Sequence, residues 1–311
     1  MRIPVVVSKI IQETPHVKRF TLKPQLDQSL PRFHPGAHIL TYLHSGSECF
    51  VRSYSLTNCP SHDYYEIAIL KKVRGSGGSS CWHEHVKRGQ TLTISYPRNF
   101  LHPDLSAKHH VFYAGGIGIT PFLSMMRWCR KRGASFELHY SAKTKHDCAF
   151  YEYINREHPD QTTFYFTREG ERIDPGLVKQ HRIGTHLYIC GPESFQNEIK
   201  TAALHTGYPK GSVHLESFVQ LHSDGFNNPF TARLEEKIIN VNQEDTLLDA
   251  LNKEGAGIPF SCRMGQCGTC EVAVKKGDIV HRDSFLTEEE RCSRMLPCVS
   301  RGEGVIEISM K

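Results

Sequence analysis

The sequence predicts a multidomain chain, with an antiparallel β-barrel, an α/β domain and a small α+β domain in that order. Short β-rich segments separated by Pro, Gly, Ser and Asn occupy the first part, as in a small barrel. Strand and helix patterns then alternate, which is typical of a doubly wound parallel sheet. The last part carries four cysteines spaced C-x4-C-x2-C, with the fourth after a further 27 residues. We place the domains at 1–104, 105–218 and 230–311, with a polar linker at 219–229.

The barrel is expected to contain six strands, because six runs are rich in β-branched and aromatic residues. These runs are Val5–Ile11, Val17–Lys23, His38–Leu43, Val51–Leu56, Tyr65–Leu70 and Thr91–Tyr96. A Gly- and Ser-rich stretch at Arg74–Ser80 follows the fifth run and precedes a short helical pattern at about Ser80–Val86. The barrel is therefore predicted to carry one loop and one short helix between its last two strands.

Arg52-Ser-Tyr-Ser55 lies on the fourth predicted strand and carries groups suited to a flavin. The Arg52 guanidinium could pair with a phosphate, because it offers a bidentate fork of donors. Tyr54 could cover the isoalloxazine face, and the Ser55 hydroxyl could hydrogen-bond near the flavin N5. The Gly77-Gly-Ser79 loop could offer backbone N–H groups to the phosphate. An alternating surface strand followed by an ordinary loop explains the same residues, so both interpretations stay open.

The second domain is expected to alternate strands with helices, as a parallel sheet requires. The strands are predicted at His109–Ala114, Phe136–Ser141, Thr162–Thr167 and His186–Cys190, and the helices from Pro121 to about Arg132 and at Ala149–Arg156, Pro175–Gln180 and Glu193–Thr206.

Two turns of this domain have the form of nucleotide-binding turns. Gly115-Gly-Ile-Gly-Ile-Thr-Pro121 follows an apolar strand and opens a helix, as a pyrophosphate turn should. Pro121 stands where the dinucleotide fingerprint has its third Gly, at the first helical position after Thr120 as N-cap. Cys190-Gly-Pro192 ends a later strand at the same carboxyl edge. Tight turns need Gly whatever binds there, but two of them in one sheet favour a nucleotide site.

The four spaced cysteines, Cys262, Cys267, Cys270 and Cys298, have the ligand pattern of a plant-type [2Fe–2S] cluster. Gly265 and Gly268 permit the tight turn that brings thiolates together, and backbone N–H groups in such a loop offset their charge. The alternative is a redox dithiol or half of a zinc site formed by Cys267 and Cys270. No second CxxC or paired-histidine unit completes a zinc site.

The third domain is also predicted to contain strands near 230–241 and a helix at about Thr246–Lys253. Thr287-Glu-Glu-Glu290 has the form of a capping box that opens another helix.

Composition and charge exclude several classes of protein. No apolar run approaches the roughly 20 residues of a membrane span, and the N-terminus reads as a strand rather than a signal peptide. The other cysteines are scattered and the total of 11 is odd, which favours a reducing compartment, so we expect a cytoplasmic location. No basic stripe interleaved with aromatic residues predicts nucleic acid binding. The 19 histidines show no HExxH or HxxxH spacing and are expected to be solvated surface residues.

Charge is distributed unevenly along the chain. Residues 230–311 carry 11 Lys and Arg against 14 Asp and Glu, whereas the remainder carries 27 against 19. The acidic third domain and the basic body could therefore attract each other or face different partners.

Taken in order, the Arg-x-Tyr-Ser motif, the Gly-Gly-Ile-Gly-Ile-Thr-Pro turn, Cys-Gly-Pro and the spaced cysteines resemble the phthalate dioxygenase reductase family over essentially the whole chain. This family includes the reductases of vanillate demethylase and carnitine monooxygenase. The resemblance implies a flavin barrel, an NAD-binding domain and a plant-type ferredoxin domain of β-grasp fold. It also implies a reductase component that passes electrons from NADH through FMN and a [2Fe–2S] cluster to a Rieske-type oxygenase.

The resemblance also assigns roles to residues by position. Ser55, Cys190 and Phe218 would lie at the reacting rings, with Cys190 near the reacting carbon of the nicotinamide. The remaining flavin contacts would be Arg52, Tyr54, Ala68, Ile69, Leu70, Gly77, Gly78, Ser79 and Thr120, and the nicotinamide contacts Gly116, Gly118, Gly191 and Pro192. The cluster ligands would be the four spaced cysteines.

Two positions depart from the family pattern. Ser76 replaces an Arg that often precedes the Gly-Gly-Ser loop, and Arg74 could supply the missing charge. Lys143 and Lys145 follow the second strand of the nucleotide domain, where an Arg is common, and they could favour the 2′-phosphate of NADPH. No adenine-binding extension follows the barrel, so FMN is favoured over FAD.

Other functions fit the same motifs. The relay could serve a hybrid-cluster protein or a di-iron hydroxylase, with the acceptor recognised by the surface around Arg263, Met264 and Gln266. The chain could also be an iron–sulfur redox sensor without turnover, or a reductase that releases free flavin, although the cluster domain disfavours the latter. Nothing in the sequence requires more than a monomer.

Overall fold

The computed structural model describes residues 2–26, 28–45, 48–72, 77–216, 218 and 228–310. These residues form two compact units, one reaching Phe218 and the other beginning at Asn228. Most of the predicted linker, residues 219–227, lies outside the described residues. No helix in the described part of the chain is both long and apolar enough to cross a membrane.

The first unit opens with a six-stranded sheet in which all neighbouring strands are antiparallel. Its strands are β1 (Arg2–Thr14), β2 (Val17–Pro24), β3 (His38–Ser45), β4 (Glu48–Ser55), β5 (Tyr65–Leu70) and β6 (Thr91–Ser95). Their order is β4-β3-β6-β1-β2-β5, and a bridge between Leu56 and Ile67 links the two outer strands. The predicted antiparallel barrel is thereby confirmed.

A short helix, α1 (Gly78–Glu84), packs against the hydrophobic core of the barrel. Trp82 on this helix is 1% exposed and meets the Phe20 ring edge-on, with 4.8 Å between ring centroids. The helix starts two residues earlier than predicted, because Gly77 turns the chain with φ 78° and Gly78 is already helical.

The second sheet is parallel throughout and has the order β11-β10-β7-β8-β9. The strands are β7 (His109–Gly115), β8 (Phe136–Ala142), β9 (Thr162–Phe166), β10 (Thr185–Cys190) and β11 (Val213–Glu216), and the helices are α2 (Thr120–Arg132), α3 (Tyr151–Glu157) and α4 (Glu193–His205). The strand order reverses at β7, which has β8 on one side and β10 on the other. Ligands of doubly wound sheets bind at the carboxyl ends of the strands at such a switch point.

Two details of this sheet were not predicted. The segment Pro175–Gln180 is a 3₁₀ helix rather than an α-helix, since the Asp174 side chain accepts from Gly176 N at 2.8 Å and fixes a tight turn. The edge strand β11 was missed, because it has only four residues.

The second unit is a mixed five-stranded sheet of order β13-β12-β16-β14-β15, with β12 and β16 parallel. Its strands are β12 (Phe230–Leu234), β13 (Lys237–Val241), β14 (Val272–Val280), β15 (Arg294–Met295) and β16 (Arg301–Ser309), and its helices are α5 (Leu247–Lys253) and α6 (Glu288–Arg291). Thr287 and Glu290 form the predicted capping box at the start of α6. Strands β14 to β16 were not foreseen from the sequence.

The expectation that the histidines are solvated is wrong for several of them. The buried histidines are His38, His83, His110, His139 and His158. Three of these lie on strands whose alternating side chains face the core, and their rings stack or pack edge-on against aromatic neighbours. Isolation in the sequence therefore does not imply isolation in the fold.

Candidate functional site

The candidate phosphate site joins β4 to the loop before α1. Gly78 packs directly on Arg52, since a Cβ on Gly78 would lie 3.1 Å from Nε and 3.2 Å from Cγ of Arg52. A side chain at this position would have to displace the Arg52 side chain slightly. The Ser79 hydroxyl accepts from the backbone N–H of Lys72 at 3.1 Å. Arg52, Gly77, Gly78 and Ser79, which the resemblance assigned to one phosphate, are thus brought together.

Lys72 is a cationic residue that sequence reasoning missed. Burial of its ammonium group, helped by the nearby Arg52 charge, lowers the pKa of Lys72, although part of the side chain stays exposed. Two cations held near each other favour an anion between them. In the sequence, only the position of Lys72 just after the strand Tyr65–Leu70 could have indicated a role at the phosphate site. The departures at Ser76 and Arg74 lie outside the described residues.

The predicted flavin-ring site contains a buried hydroxyl without a partner. Ser55 is 4% exposed, and among the described residues its Oγ has no hydrogen-bond partner. A buried hydroxyl left unsatisfied is costly, so this atom fits a ligand that supplies a polar group. Tyr54 packs edge-on against Trp82 at 6.0 Å between ring centroids, and burial raises its pKa, which keeps the phenol neutral. The Ser55 hydroxyl therefore suits a hydrogen bond to a flavin, whereas the neutral Tyr54 ring suits contact with the flavin face.

His38 lies beside Ser55 and was not predicted as a site residue. The two residues are paired across β3 and β4. His38 is 1% exposed, and neither of its ring nitrogens has a partner in the described part of the chain. Burial, followed by the charge of Arg98, lowers the pKa of His38 to about 4, so the ring is neutral at pH 7. The strand pairing that places it here is not visible in the sequence.

The three residues predicted to line the flavin along β5 face different ways. Ala68 and Leu70 pack in one hydrophobic cluster with Cys190 of the α/β sheet and with Phe218. Ile69 instead points into the barrel core, and its carbonyl oxygen accepts from His83 Nε2 at 2.8 Å. The structure therefore brings Ala68 and Leu70 to the site by their side chains but leaves the Ile69 side chain outside it.

The two predicted nucleotide turns meet at the carboxyl ends of β7 and β10. A Cβ on Gly118 would lie 2.2 Å from the carbonyl oxygen of Cys190 and 2.9 Å from the nitrogen of Gly191. One on Gly115 would lie 2.8 Å from the Pro192 ring. The backbones can approach this closely only because Gly lacks a side chain. Gly116, with φ 55°, has open space on its Cβ side.

The expected role of Thr120 as N-cap is wrong. Gly116–Ile119 forms a 3₁₀ turn that runs directly into α2, so Thr120 is already the first helical residue. Its hydroxyl donates to the carbonyl of Ile117 at 3.0 Å. Pro121 still occupies the first turn of the helix, as predicted.

Cys190 is fully buried at the end of β10. Burial raises the pKa of its thiol well above the usual value, and the neighbouring Glu216 raises it further. The side chain is therefore a neutral thiol, suited to contact with an uncharged ring and not to nucleophilic attack.

Glu216 is a second buried group that sequence reasoning passed over. It pairs in register with Cys190, is 1% exposed, and its Oε2 has no partner among the described residues. Burial raises the pKa of this carboxyl to about 8. The signal was present in the segment that also supplies Phe218, but only the aromatic residue was singled out.

The four spaced cysteines converge in the second unit. Cys262, Cys270 and Cys298 are buried and Cys267 is half-buried. Side-chain hydrogen bonds join Cys262 to Cys267 and Cys270 to Cys298, and Cys298 also lies close enough to Cys262 to feel its charge. The Cys262 thiol lowers the pKa of Cys267 to about 4. Four soft sulfur donors in one pocket fit an iron–sulfur cluster.

The loop that carries these cysteines supplies the predicted backbone donors. Met264 N lies 3.3 Å from Cys262 Sγ, and Cys262 N lies 3.4 Å from Cys267 Sγ. Gly268 has φ 69°, and a Cβ there would lie 2.4 Å from the Phe285 ring. Arg263 pairs with Asp249, and this anchors the loop to α5. The glycines therefore permit the tight course of the loop, and the ion pair with Asp249 fixes it to α5.

Two parts of the chain match protein-family models. Residues 230–302 match the 2Fe-2S iron–sulfur cluster binding domain. Residues 94–213 match the N-terminal domain of dimethylamine monooxygenase subunit DmmA-like proteins. The [2Fe–2S] interpretation of the cysteines is thereby confirmed over the zinc and dithiol alternatives.

Whole-chain relatives are reductase and demethylase subunits. The chain is 36% identical to the carnitine monooxygenase reductase subunit of Escherichia coli, covering 96% of this chain and 95% of the relative. It is 34% identical to the vanillate O-demethylase oxidoreductase of Acinetobacter baylyi, covering 97% and 96%. It is also 34% identical to the heme-dependent oxidative N-demethylase beta subunit of Ectopseudomonas mendocina, covering 96% and 95%.

Among solved structures, a phthalate dioxygenase reductase described as modular for electron transfer from pyridine nucleotides to [2Fe–2S] superposes with a TM-score of 0.84. It is 28% identical, and the match covers 99% of this chain and 98% of that one. A [2Fe–2S] cluster and a pyridine nucleotide, two parts of the predicted cofactor set, agree with this match. The chain is therefore an oxidoreductase that belongs to the phthalate dioxygenase reductase family.

Proposed function

We propose that this protein is the reductase component of a Rieske-type oxygenase system, taking electrons from NADH and delivering them through FMN and a [2Fe–2S] cluster to the oxygenase. The observation that carries the proposal is the cluster of side chains shared by the barrel and the α/β sheet. Ala68 and Leu70 pack there with Cys190 and Phe218. Residues assigned to the flavin and to the nicotinamide thus lie in one compact unit.

The chemistry explains why both cofactor sites are needed on one chain. NADH gives up two electrons together as hydride, an iron–sulfur cluster takes one at a time, and a flavin can do both. The residues of this chain bind and orient the reactants. Ser55 offers its buried hydroxyl to the flavin ring, Arg52 and Lys72 hold the phosphate, and Gly118 lets the dinucleotide turn approach Cys190. No general acid or base is required.

An anaerobic titration with NADH tests the relay. Visible absorbance should show bleaching of a flavin band, and low-temperature EPR should show a rhombic [2Fe–2S] signal. Bleaching without the EPR signal would contradict electron transfer to the four cysteines.

The same titration with NADPH tests the nucleotide preference. Lys145 lies over the Tyr151 ring at 4.3 Å and Lys143 is exposed at the end of β8. Reduction by NADPH but not by NADH would overturn the choice of NADH and point to these lysines.

A haem-containing demethylase is a second candidate acceptor, because one relative of 34% identity is named as a subunit of a heme-dependent demethylase. The NADH-reduced protein can be mixed anaerobically with a purified Rieske oxygenase and, separately, with a purified haem-containing demethylase. Appearance of the reduced Rieske EPR signal supports the first acceptor, and a ferrous haem spectrum alone supports the second. Failure to reduce any acceptor, artificial ones included, would favour the redox sensor.

We also propose a cytoplasmic, monomeric reductase. All 11 cysteines are free of disulfide bonds, which supports a reducing compartment. One chain contains one copy of each predicted site, so a monomer is sufficient. Light scattering of the purified protein tests this proposal, and a stable dimer would contradict it.

A further inference from the structure

A cluster of three histidines surrounds one carboxylate on the parallel sheet. His181 Nδ1 lies 2.8 Å from Glu137 Oε1, and His139 Nε2 lies 3.4 Å from the same oxygen. His109 Nε2 lies 3.8 Å from the other oxygen, Oε2. Glu137 and His139 come from β8, His109 from β7, and His181 from the end of the 3₁₀ helix after β9. The cluster thus gathers residues from three separate segments of the chain.

The outward ring nitrogen of each histidine is held by a hydroxyl group. Tyr165 OH lies 2.9 Å from His139 Nδ1, and Tyr113 OH lies 2.9 Å from His181 Nε2. Ser135 Oγ lies 2.9 Å from His109 Nδ1. Histidines that bind metals commonly donate this second N–H to an oxygen, which fixes the ring and leaves the inner lone pair for the metal.

The spacing of the inner atoms fits a small divalent ion. The ligand atoms of Glu137, His139 and His181 lie within 4.8 Å of one another. With metal–ligand bonds of about 2.0–2.2 Å, a carboxylate oxygen and an imidazole nitrogen stand about 2.9 Å apart at a right angle and about 3.4 Å apart at a tetrahedral angle. The two oxygen–nitrogen distances here, 2.8 and 3.4 Å, cover that range.

The cluster is separate from the electron-transfer site. Glu137 and His139 lie in the first half of β8, whereas the nucleotide turns lie at the opposite, carboxyl edge of the sheet. They share a face with Tyr113, which packs in the cluster that includes α4 residues, and not with the cluster that holds Cys190. The Glu137 side chain is 35% exposed, so an ion and a water ligand have access from solvent.

We propose that Glu137, His139 and His181 bind a divalent transition-metal ion of the Zn²⁺ class, with water in the remaining position and His109 on the free carboxylate oxygen. Two imidazoles and a carboxylate are ligands that zinc accepts. The ion would tie the segment after β9 to the middle of the sheet. It serves the stability of the nucleotide domain and takes no part in hydride transfer.

A second group, Asp104, His186 and His214, has the same ligand types and provides an internal control. In this group His186 Nδ1 and His214 Nε2 lie 3.0 Å apart. Among the described residues, no hydroxyl group is hydrogen-bonded to the outer ring nitrogens of these two histidines. A protein that binds zinc by histidine content alone would use both groups equally.

The test is zinc retention by the complete holoprotein, with Cys49 and Cys292, the two exposed cysteines, replaced by Ser. After equilibrium dialysis against Zn²⁺, elemental analysis should find one zinc per chain beside the cluster iron. Zinc K-edge absorption should show nitrogen and oxygen ligands at about 2.0–2.1 Å and no sulfur at about 2.3 Å. Sulfur ligation, or no retained zinc, would overturn the proposal.

Variants locate the site. Glu137→Gln and His139→Gln should abolish retention, whereas the double variant His186→Gln/His214→Gln should keep it. Tyr165→Phe, which changes no ligand, should weaken binding by about 10- to 100-fold. Retention that survives Glu137→Gln but not the double variant would assign the metal to the other group and refute the proposal.

Discussion

At the scale of residues, the candidate site holds several buried polar atoms without partners, although such atoms also occur elsewhere among the described residues. Ser55 Oγ, both ring nitrogens of His38 and Glu216 Oε2 are buried and unpaired among the described residues. Two of these groups lie together on β3 and β4, and the third lies next to Cys190. Since buried polar groups are nearly always satisfied, these atoms are suited to hydrogen-bond a ligand.

Replacing Glu216 by Gln should stabilise the protein at alkaline pH. The folded pKa of about 8 lies above the ordinary 4.5, so ionisation opposes folding increasingly as the pH rises from 4.5 to 8. Across that window the stability of Glu216→Gln relative to the natural protein should rise by about 1.4 kcal/mol per pH unit at most. Urea unfolding at pH 5 and pH 8 measures the difference. An equal difference at both pH values would mean that Glu216 keeps an ordinary pKa.

At the scale of elements, the close approach of the two nucleotide turns is the most constrained feature. The Gly115–Pro121 turn and the end of β10 touch through backbone atoms, with no space for a Cβ at Gly118. Any side chain there must push the two turns apart. The position of Cys190 relative to the Gly115–Pro121 turn thus depends on the absence of a side chain at Gly118.

Gly118→Ala should therefore slow flavin reduction by NADH by about 100-fold, the effect of a displacement near 1 Å in a reacting pair. Stopped-flow absorbance measures the rate. Gly211→Ala is the matched control, because a Cβ at Gly211 meets nothing within 4 Å. The EPR signal of the dithionite-reduced cluster should be unchanged in both variants. A normal rate in Gly118→Ala would place the nicotinamide elsewhere.

Local patterns predicted the elements well wherever local forces determine them. The strand Tyr65–Leu70 and the capping box at Thr287 follow from β-branched runs and from one hydrogen-bonding motif. Pro175–Gln180 was predicted as an α-helix but is a 3₁₀ helix. Over six residues the sequence patterns of the two helix types cannot be told apart. Strands β14 and β16 pair with each other across the cysteine loops, which no local pattern encodes.

The candidate site was predictable to the same extent. Arg52, Gly78, Gly118 and the first three spaced cysteines belong to motifs that are continuous in the chain. Lys72, His38 and Glu216 reach the site only through strand pairing or through a loop returning to β4. The histidine cluster around Glu137 is the extreme case, because its members come from three separate elements. Long-range pairing, more than side-chain chemistry, therefore limits what sequence can predict.

At the scale of the whole molecule, the two kinds of electron chemistry are held in different compact units. Ser55 and Cys190 belong to the first unit and the four spaced cysteines to the second. The second unit is acidic and the remainder basic, so each can present its own surface to a partner. Removing one cluster ligand should thus leave hydride transfer untouched.

Cys298→Ser should abolish the [2Fe–2S] cluster while NADH still reduces the flavin at the normal rate. Cys298 is a buried sulfur that hydrogen-bonds Cys270, and loss of one thiolate leaves the cluster with three ligands. Cys292→Ser is the control, because Cys292 is exposed and outside the ligand spacing. Iron content and EPR measure the loss of the cluster, and stopped-flow absorbance measures the rate of flavin reduction by NADH. If Cys298→Ser retained its flavin but lost hydride transfer, the two units would not divide the work as proposed.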